Sequence, residues 1–255
     1  MQLDDIVIDK SIEPRRLPAS AGWRWIVQAF RLFGRHWTVF LLQSLLFTLI
    51  ALFAMQNSIV LLVFATLTPM LLAGTSYSAA KAVEGEKPML IDLFAGFRLA
   101  PQPLLRLGAI YFLVSLLVSG GLSLIEGALG ADKVLKSLQD AVKAGSDVAT
   151  LNLDVTPLAW LLMAMLVAVA AIQSLFYFAA PLVMLKGATP GEAVRLSTTA
   201  FWRNLMPLSV AGLVFMGLAL LGSVALPLLL AMLPVMMLFG YTSYADIFAI
   251  PTRSE

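Results

Sequence analysis

The sequence predicts an all-α fold: a polytopic membrane helix bundle of six transmembrane helices with three amphipathic helices at the cytoplasmic membrane surface. The first observation is compositional. Of the 255 residues, 60% are hydrophobic and 13% are charged, whereas soluble domains carry about 25% charged residues. The mean hydropathy is +0.90. The second observation is segregation, because long uncharged stretches alternate with short basic ones, as in multi-pass membrane proteins.

Residues 1–19 form a polar tail broken by Pro14 and Pro18, which we expect to be flexible. The first 36 residues contain no apolar h-region, so we expect no cleaved signal peptide. Three amphipathic segments, here called feet, cover residues 20–36, 81–103 and 189–204. In the first foot, apolar residues recur at helical spacing opposite a face that carries arginines. The apolar positions are Trp23, Ile26, Phe30, Phe33 and Trp37. Such a helix lies in the membrane interface or packs on the protein's own cytoplasmic surface, and the pattern allows both.

Six stretches are long and apolar enough to cross a membrane. A helix rises about 1.5 Å per residue and the hydrocarbon core is about 30 Å thick, so one span takes about 20 residues. The predicted spans are residues 37–55, 59–80, 107–125, 157–185, 205–221 and 227–245. An exterior loop, residues 126–156, should contain a short amphipathic helix that ends at Gly145. We expect residues 20–250 to form a single integral membrane domain.

The orientation of the chain follows from its basic residues. Fourteen of the 17 Lys and Arg residues lie in segments 1–36, 81–106 and 186–203 and at Arg253. The other three, Lys133, Lys136 and Lys143, lie in the 126–156 loop beside acidic residues. The positive-inside rule therefore places both termini and all three feet in the cytoplasm, and the loop outside.

Each foot is followed by two predicted spans, so the chain can be divided into three copies of a foot and a helical hairpin. The sequence Thr75-Ser76-Tyr77 ends the first hairpin, much as Thr242-Ser243-Tyr244 ends the third. Either the three hairpins are true internal repeats, or helices rich in Leu and Ala look alike through composition alone. The sequence leaves both interpretations open.

Several short motifs resemble those of a known family. They are Gly22-Trp23 with Trp25-Ile26, Phe30-Arg31-Leu32-Phe33, Asp92-Leu93-Phe94-Ala95-Gly96-Phe97, Leu107-Gly108 and Tyr244-Ala245-Asp246-Ile247-Phe248. From about Ala21 to Phe248, the chain resembles an uncharacterised proteobacterial family of six-span inner-membrane proteins of unknown function. The resemblance implies a location in the bacterial cytoplasmic (inner) membrane. It carries over no catalytic or ligand-binding residue.

The charged and reactive residues exclude several function classes. No Asp, Glu, Lys, Arg or His lies inside a predicted span, which argues against a proton- or ion-driven pump. With one His and no Cys, the chain has no metal cluster of recognisable spacing, and it has no phosphate loop or nucleophile elbow. We therefore expect no enzyme activity, no catalytic residues, no cofactor and no metal. The net charge of +2 also argues against a nucleic-acid partner.

Two sets of residues remain as candidate contacts. The candidate lipid-headgroup contacts are the arginines of the first and third feet: Arg24, Arg31, Arg35, Arg195 and Arg203. The candidate intramembrane polar contacts are Gln43, Thr75, Ser76, Tyr77, Gln173, Thr242, Ser243 and Tyr244. The second set either forms hydrogen bonds between helices, or lines a path for a lipid headgroup or a small solute.

The leading hypothesis from these residues is a non-enzymatic accessory protein that contacts membrane lipids or binds a membrane-protein partner. The alternative is a transporter or channel for a small neutral or lipid-like solute. A central cavity lined by the polar set would favour transport. A bundle packed along the small residues Ser115, Ser119 and Ser123 would count against it.

Overall fold

The computed structural model describes residues 13–145, 154–222 and 226–248. Every regular element within these residues is helical, which confirms the predicted all-α class. A 3₁₀ turn, Leu90–Phe94, precedes the fourth helix. The helices are α1 (Ser20–Arg35), α2 (Trp37–Ala54), α3 (Ser58–Val83), α4 (Ala95–Leu99), α5 (Pro101–Leu129), α6 (Ala131–Lys143), α7 (Thr156–Phe176), α8 (Ala179–Lys186), α9 (Pro190–Arg203), α10 (Leu205–Gly222) and α11 (Leu226–Ile247).

Parts of four predictions lie outside the described residues. They are residues 1–12 of the predicted flexible tail, residues 146–153 of the exterior loop, residues 223–225 of the turn in the third hairpin, and the C-terminal segment that carries Arg253.

Among the described residues, four helical stretches are long and apolar enough to cross a membrane: Trp37–Ala54, Ser58–Val83, Pro101–Leu129 and Thr156–Lys186. The pair α9 and α10 meets the same test only if both helices form one span, which would then be bent by 77°. Since helices satisfy their backbone hydrogen bonds internally, they suit a hydrocarbon environment. The described residues therefore indicate a membrane protein with four or five candidate spans, and the sixth span stays a prediction.

Two helices differ from the predicted spans. The third predicted span, residues 107–125, is the middle of the longer helix α5, which begins at Pro101. Proline suits this first helical position because its missing N–H would have no helical partner there. The fourth, residues 157–185, is interrupted at Tyr177 and Phe178, between α7 and α8. Pro181 follows four residues after Tyr177, where a proline ring crowds the earlier carbonyl and removes its helical donor.

The described residues form two compact units, one drawn from residues 1–109 and 174–255 and the other from residues 110–173. In the first unit, α3 packs against α8, α11, α4 and the 3₁₀ turn. Helix α1 packs on α10 and α11, and α9 packs on α8. Each foot thereby contacts a helix that is distant in sequence or belongs to the hairpin before it.

The second unit contains the C-terminal part of α5, helix α6 and most of α7. Gly130 joins α5 to α6 with a left-handed backbone (φ 70°), which glycine adopts without steric cost. Helix α6 confirms the short helix expected in the 126–156 loop. Just before α7, the Asp154 carboxylate interacts with the Thr156 hydroxyl and accepts a hydrogen bond from the Thr156 N–H at 3.0 Å. These hydrogen bonds hold the pKa of Asp154 below its ordinary value.

Within the described residues, the stripe of small residues on α5 is covered only at Ser115, which is half-buried and has a buried hydroxyl. Ser119, Ser123 and Gly127 are exposed, while Val118, Gly121, Leu122 and Ile125 face α7 across a groove. Four-residue spacing predicts which residues share one face of a helix, but it does not predict which face packs against a neighbouring helix. The face of α5 that lies towards α7 is more apolar than the face with the serines.

Candidate functional site

The five candidate headgroup arginines are all exposed. Three lie on α1 and two on α9, and these helices pack on different supports. Some of the arginines also contact the protein itself. Arg24 lies 3.7 Å from the Asp246 carboxylate, and the Arg203 guanidinium donates a hydrogen bond to the Pro14 carbonyl at 3.1 Å. The exposed Trp23 and Trp202 lie beside the arginines along the same two helices.

The buried face of helix α1 matches the apolar pattern of the sequence only in part. Its buried face consists of Ala21, Gly22, Trp25, Ile26, Ala29 and Leu32. At Gly22 a β-carbon would overlap the Pro207 carbonyl oxygen of α10, so only glycine permits this approach. The sequence placed Trp23 on the apolar face, whereas the structure leaves 56% of Trp23 exposed and buries Trp25 completely.

A polar contact, here called the α1–α11 tie, fixes the first foot on α11. The Trp25 indole N–H donates a hydrogen bond to the Asp246 carboxylate at 2.7 Å. The Thr242 hydroxyl donates to the Trp25 carbonyl at 3.1 Å. The Trp25 ring also packs on Phe239, with the ring centroids 6.1 Å apart. Most of this contact is therefore apolar packing of the buried Trp25 ring, and the hydrogen bond to Asp246 lies at its partly exposed edge.

A second polar contact, here called the α3–turn tie, fixes the second foot on α3. The Lys81 ammonium lies 3.1 Å from the Asp92 carboxylate, which also accepts a hydrogen bond from the Met89 N–H at 2.8 Å. The Gln43 side-chain amide donates to the Ser78 hydroxyl and to the Met89 carbonyl, both at 2.9 Å. Three elements, α2, α3 and the 3₁₀ turn, therefore share one hydrogen-bonded network.

Comparison with protein-family models, curated proteins and solved structures finds no match to this chain. Among the described residues, no group of three or more His, Asp or Glu side chains is placed to hold a metal ion.

The candidate polar residues of the spans have different environments. Thr75 and Ser76 donate to the Leu72 carbonyl one turn earlier, and Ser243 donates to the Phe239 carbonyl. Gln43 and Thr242 belong to the two ties. Tyr77 is half-buried, and its ring lies 5.8 Å from the Lys81 ammonium. Gln173 is exposed on α7, while Tyr244 is buried and its hydroxyl has no partner among the described residues.

Two buried polar residues organise the structure without having been singled out in the sequence. Ser197 of α9 accepts a hydrogen bond from the Phe178 N–H at 3.1 Å and donates to the Ser174 carbonyl at 3.2 Å, across the break between α7 and α8. Asn204 accepts from the Leu17 N–H at 2.9 Å and donates to the Arg15 carbonyl at 2.8 Å. In both cases the partner is remote along the chain, so no local signal marks the residue.

A shallow groove of about 350 Å³ runs between α1 and α10 in the first unit. Its lining consists of apolar side chains and one cationic side chain, that of Arg31. The lining includes Trp23, Val27, Phe30 and Arg31 of α1, and Val214 and Leu218 of α10. An apolar surface next to an arginine can hold an amphiphile that carries a negative charge.

Proposed function

We propose that the chain is a non-enzymatic accessory protein of the bacterial cytoplasmic membrane that contacts lipids or binds a membrane-protein partner. The observation that carries this proposal is the contrast between two polar sets. The polar residues of the spans mostly donate hydrogen bonds within the protein, whereas the five arginines are exposed beside exposed tryptophans. Tryptophan and arginine together are typical of the headgroup level of a membrane.

We further infer six spans, in three repeated foot-and-hairpin copies, with both termini in the cytoplasm. The packing supports this arrangement. The second foot packs on α3 of the first hairpin, the third foot on α8 of the second, and the first foot on α10 and α11 of the third. Each foot thus contacts the preceding hairpin in cyclic order, as expected of a threefold repeat. A reporter fused after Glu255 should read cytoplasmic, and a periplasmic signal would refute this orientation.

Transport of a small neutral or lipid-like solute is the second candidate function. Its support is the Tyr244 hydroxyl, which is buried without a partner among the described residues. A passing solute could supply that partner, since an unpaired buried hydroxyl is costly. Uptake of a candidate solute into proteoliposomes, abolished by Tyr244→Phe with the fold intact, would favour this second function over the first.

The lipid-contact proposal can be tested by extracting the protein into native-lipid nanodiscs and identifying everything that co-purifies by mass spectrometry. The test variant is R31Q/R35Q/R195Q, which removes three exposed charges from the first and third feet. The matched control is K133Q/K136Q/K143Q, which removes three charges from α6. Each basic residue near an anionic surface contributes about 1 kcal/mol of attraction. We therefore expect the arginine variant to lose anionic lipid and the lysine variant to retain it.

Two results would change this proposal. Equal loss of anionic lipid in both variants would mean that the arginines have no special part in lipid contact. A stoichiometric protein that is lost with the arginine variant, without any change in lipid, would identify partner binding as the role of the feet.

A further inference from the structure

We propose that the groove between α1 and α10 binds one anionic phospholipid, with an acyl chain on the apolar wall and the phosphate group at Arg31. This inference rests on the proposed lipid contact and deepens it, because it names a lipid class and a site. The occupant is a lipid of the surrounding membrane. A free phosphate could meet Arg31, but it would gain nothing from the apolar wall.

The groove has the form of a site for a hydrocarbon chain. Trp23, Val27 and Phe30 recur every three or four residues and so form one stripe along α1. From Trp23 to Phe30 this stripe is about 10 Å long, from a helical rise of about 1.5 Å per residue. Val214 and Leu218, one turn apart, form the facing wall on α10. The volume of about 350 Å³ lies in the range of known small-molecule sites.

The apolar wall of the groove is not covered by the described part of the chain. Trp23 is 56% exposed, and Val27, Phe30, Val214 and Leu218 are half-buried. This stripe differs from the face of α1 that packs on the protein, where Trp25 and Ala29 are fully buried. Helix α1 therefore has two apolar faces, one used for folding and one left open in the groove.

Charge complementarity selects an anionic lipid. Helix α1 carries three arginines and no acidic residue, and α10 carries no ionisable residue. Arg24 faces Asp246, whereas Arg31 lines the groove at the C-terminal end of the Trp23–Phe30 stripe. A guanidinium binds phosphate oxygens through paired hydrogen bonds. A zwitterionic lipid would bring its own cation close to Arg31, so an anionic headgroup is favoured.

Tryptophan quenching by brominated lipids tests this site directly, because Trp23 lines the groove. The parent variant W37F/W160F/W202F retains Trp23 together with Trp25, whose buried indole is a reference that lipid does not reach. It is reconstituted in phosphatidylcholine vesicles that contain a minor fraction of lipid with dibrominated chains. The brominated lipid is phosphatidylglycerol in one series and phosphatidylcholine in the other. We expect the phosphatidylglycerol to quench Trp23 more strongly at equal fractions.

Three variants in this background locate the effect. Arg31→Gln should reduce the preference for phosphatidylglycerol about fivefold, the factor that corresponds to about 1 kcal/mol per arginine at an anionic surface. Lys136→Gln removes an exposed cation from α6, outside the feet, and should leave the preference unchanged. Leu218→Phe fills the groove with a larger side chain without adding a tryptophan. It should weaken the quenching of Trp23 by both lipids.

Several outcomes would overturn the inference. Equal quenching by the two brominated lipids, or an unchanged preference in Arg31→Gln, would mean that the groove does not select anionic lipid. Absence of Trp23 quenching by either lipid would mean that something other than lipid covers the groove. If nanodiscs still retain anionic lipid through the arginines in these cases, the proposed lipid contact stands and the groove site alone fails.

Discussion

The two ties hold their feet by different physical means. In the α3–turn tie, the Asp92 and Lys81 side chains are only 3% and 14% exposed, so the ion pair is largely removed from water. In the α1–α11 tie, the Asp246 and Arg24 side chains are 31% and 56% exposed, and their ion pair is at the edge of the contact. Beyond α3, the regular structure of the second foot consists of the five-residue 3₁₀ turn and the five-residue helix α4. The first foot is a long helix with a buried apolar face.

This difference shows that a short segment and a long helix reach a fixed position in different ways. The second foot depends on a buried polar network and on direct approach of its backbone to α3. The first foot depends on the burial of Trp25 and its neighbours, and its charges add little. Removing one partner of a buried ion pair costs about 3–5 kcal/mol, whereas exposed pairs contribute about 0–1 kcal/mol. Substitutions should therefore affect the two ties unequally.

The largest effect is expected from Gly74→Ala in α3. A β-carbon at Gly74 would overlap the Leu93 carbonyl group and crowd the Asp92 carbonyl oxygen, and these are backbone atoms that cannot turn aside. Overpacking typically costs about 1–3 kcal/mol and occasionally more, and a clash with three backbone atoms should exceed that range and the cost of every substitution below, or prevent folding. Thermal unfolding in nanodiscs, followed by tryptophan fluorescence, measures the loss. The control is Gly34→Ala, since nothing lies within 4 Å of a β-carbon there, and it should not destabilise.

The next largest effect is expected from Asp92→Ala. This change leaves the Lys81 ammonium and the Met89 N–H without their carboxylate partner, at a cost of about 3–5 kcal/mol in the free energy of unfolding. The double variant D92A/K81M removes the stranded charge and should recover part of that loss. Denaturant or thermal midpoints of both variants give the comparison. If the double variant is less stable than D92A, the unpaired Lys81 charge is not the cause of the lost stability.

A smaller effect is expected from Trp25→Phe. The substitution keeps an aromatic ring near Phe239 but removes the hydrogen bond from the indole N–H to the Asp246 carboxylate. Hydrogen bonds to charged groups contribute about 1.5–3 kcal/mol, and the partial exposure of Asp246 should bring the loss to the lower end. The same unfolding measurement applies. A loss as large as that of Asp92→Ala would show that the two ties are alike after all.

The smallest effect is expected from Arg24→Gln. The pair with Asp246 is long, and it joins an exposed arginine to a partly exposed carboxylate. Such pairs near the surface contribute about 0–1 kcal/mol. The unfolding midpoint should therefore stay close to that of the unsubstituted protein, at both low and high salt. A clear loss at low salt that disappears at high salt would show that the charge pair, rather than the apolar face, holds the first foot.

Much of the secondary structure could be predicted, because its causes are local. In a hydrocarbon environment each segment must satisfy its own backbone hydrogen bonds, so uncharged stretches become helices close to the predicted bounds. The start of α9 was also predictable, since Thr189 caps the Glu192 N–H and Pro190 occupies the first helical position. Helix α6 followed from an amphipathic pattern that ends at Gly145. None of these features depends on a distant residue.

The candidate contacts were less predictable, because they depend on distant partners. Hydropathy distinguishes neither Trp23 from Trp25 nor one stripe of α5 from another. The sequence by itself determined where helices form and where charge is tolerated. The tertiary structure decided which face of each helix is buried, because a close approach such as that of Gly22 to Pro207 or Gly74 to Leu93 requires two remote segments to fit together. That fit makes Lys81, Asp92, Ser197 and Asn204 structural residues, and it leaves the groove beside Arg31 open.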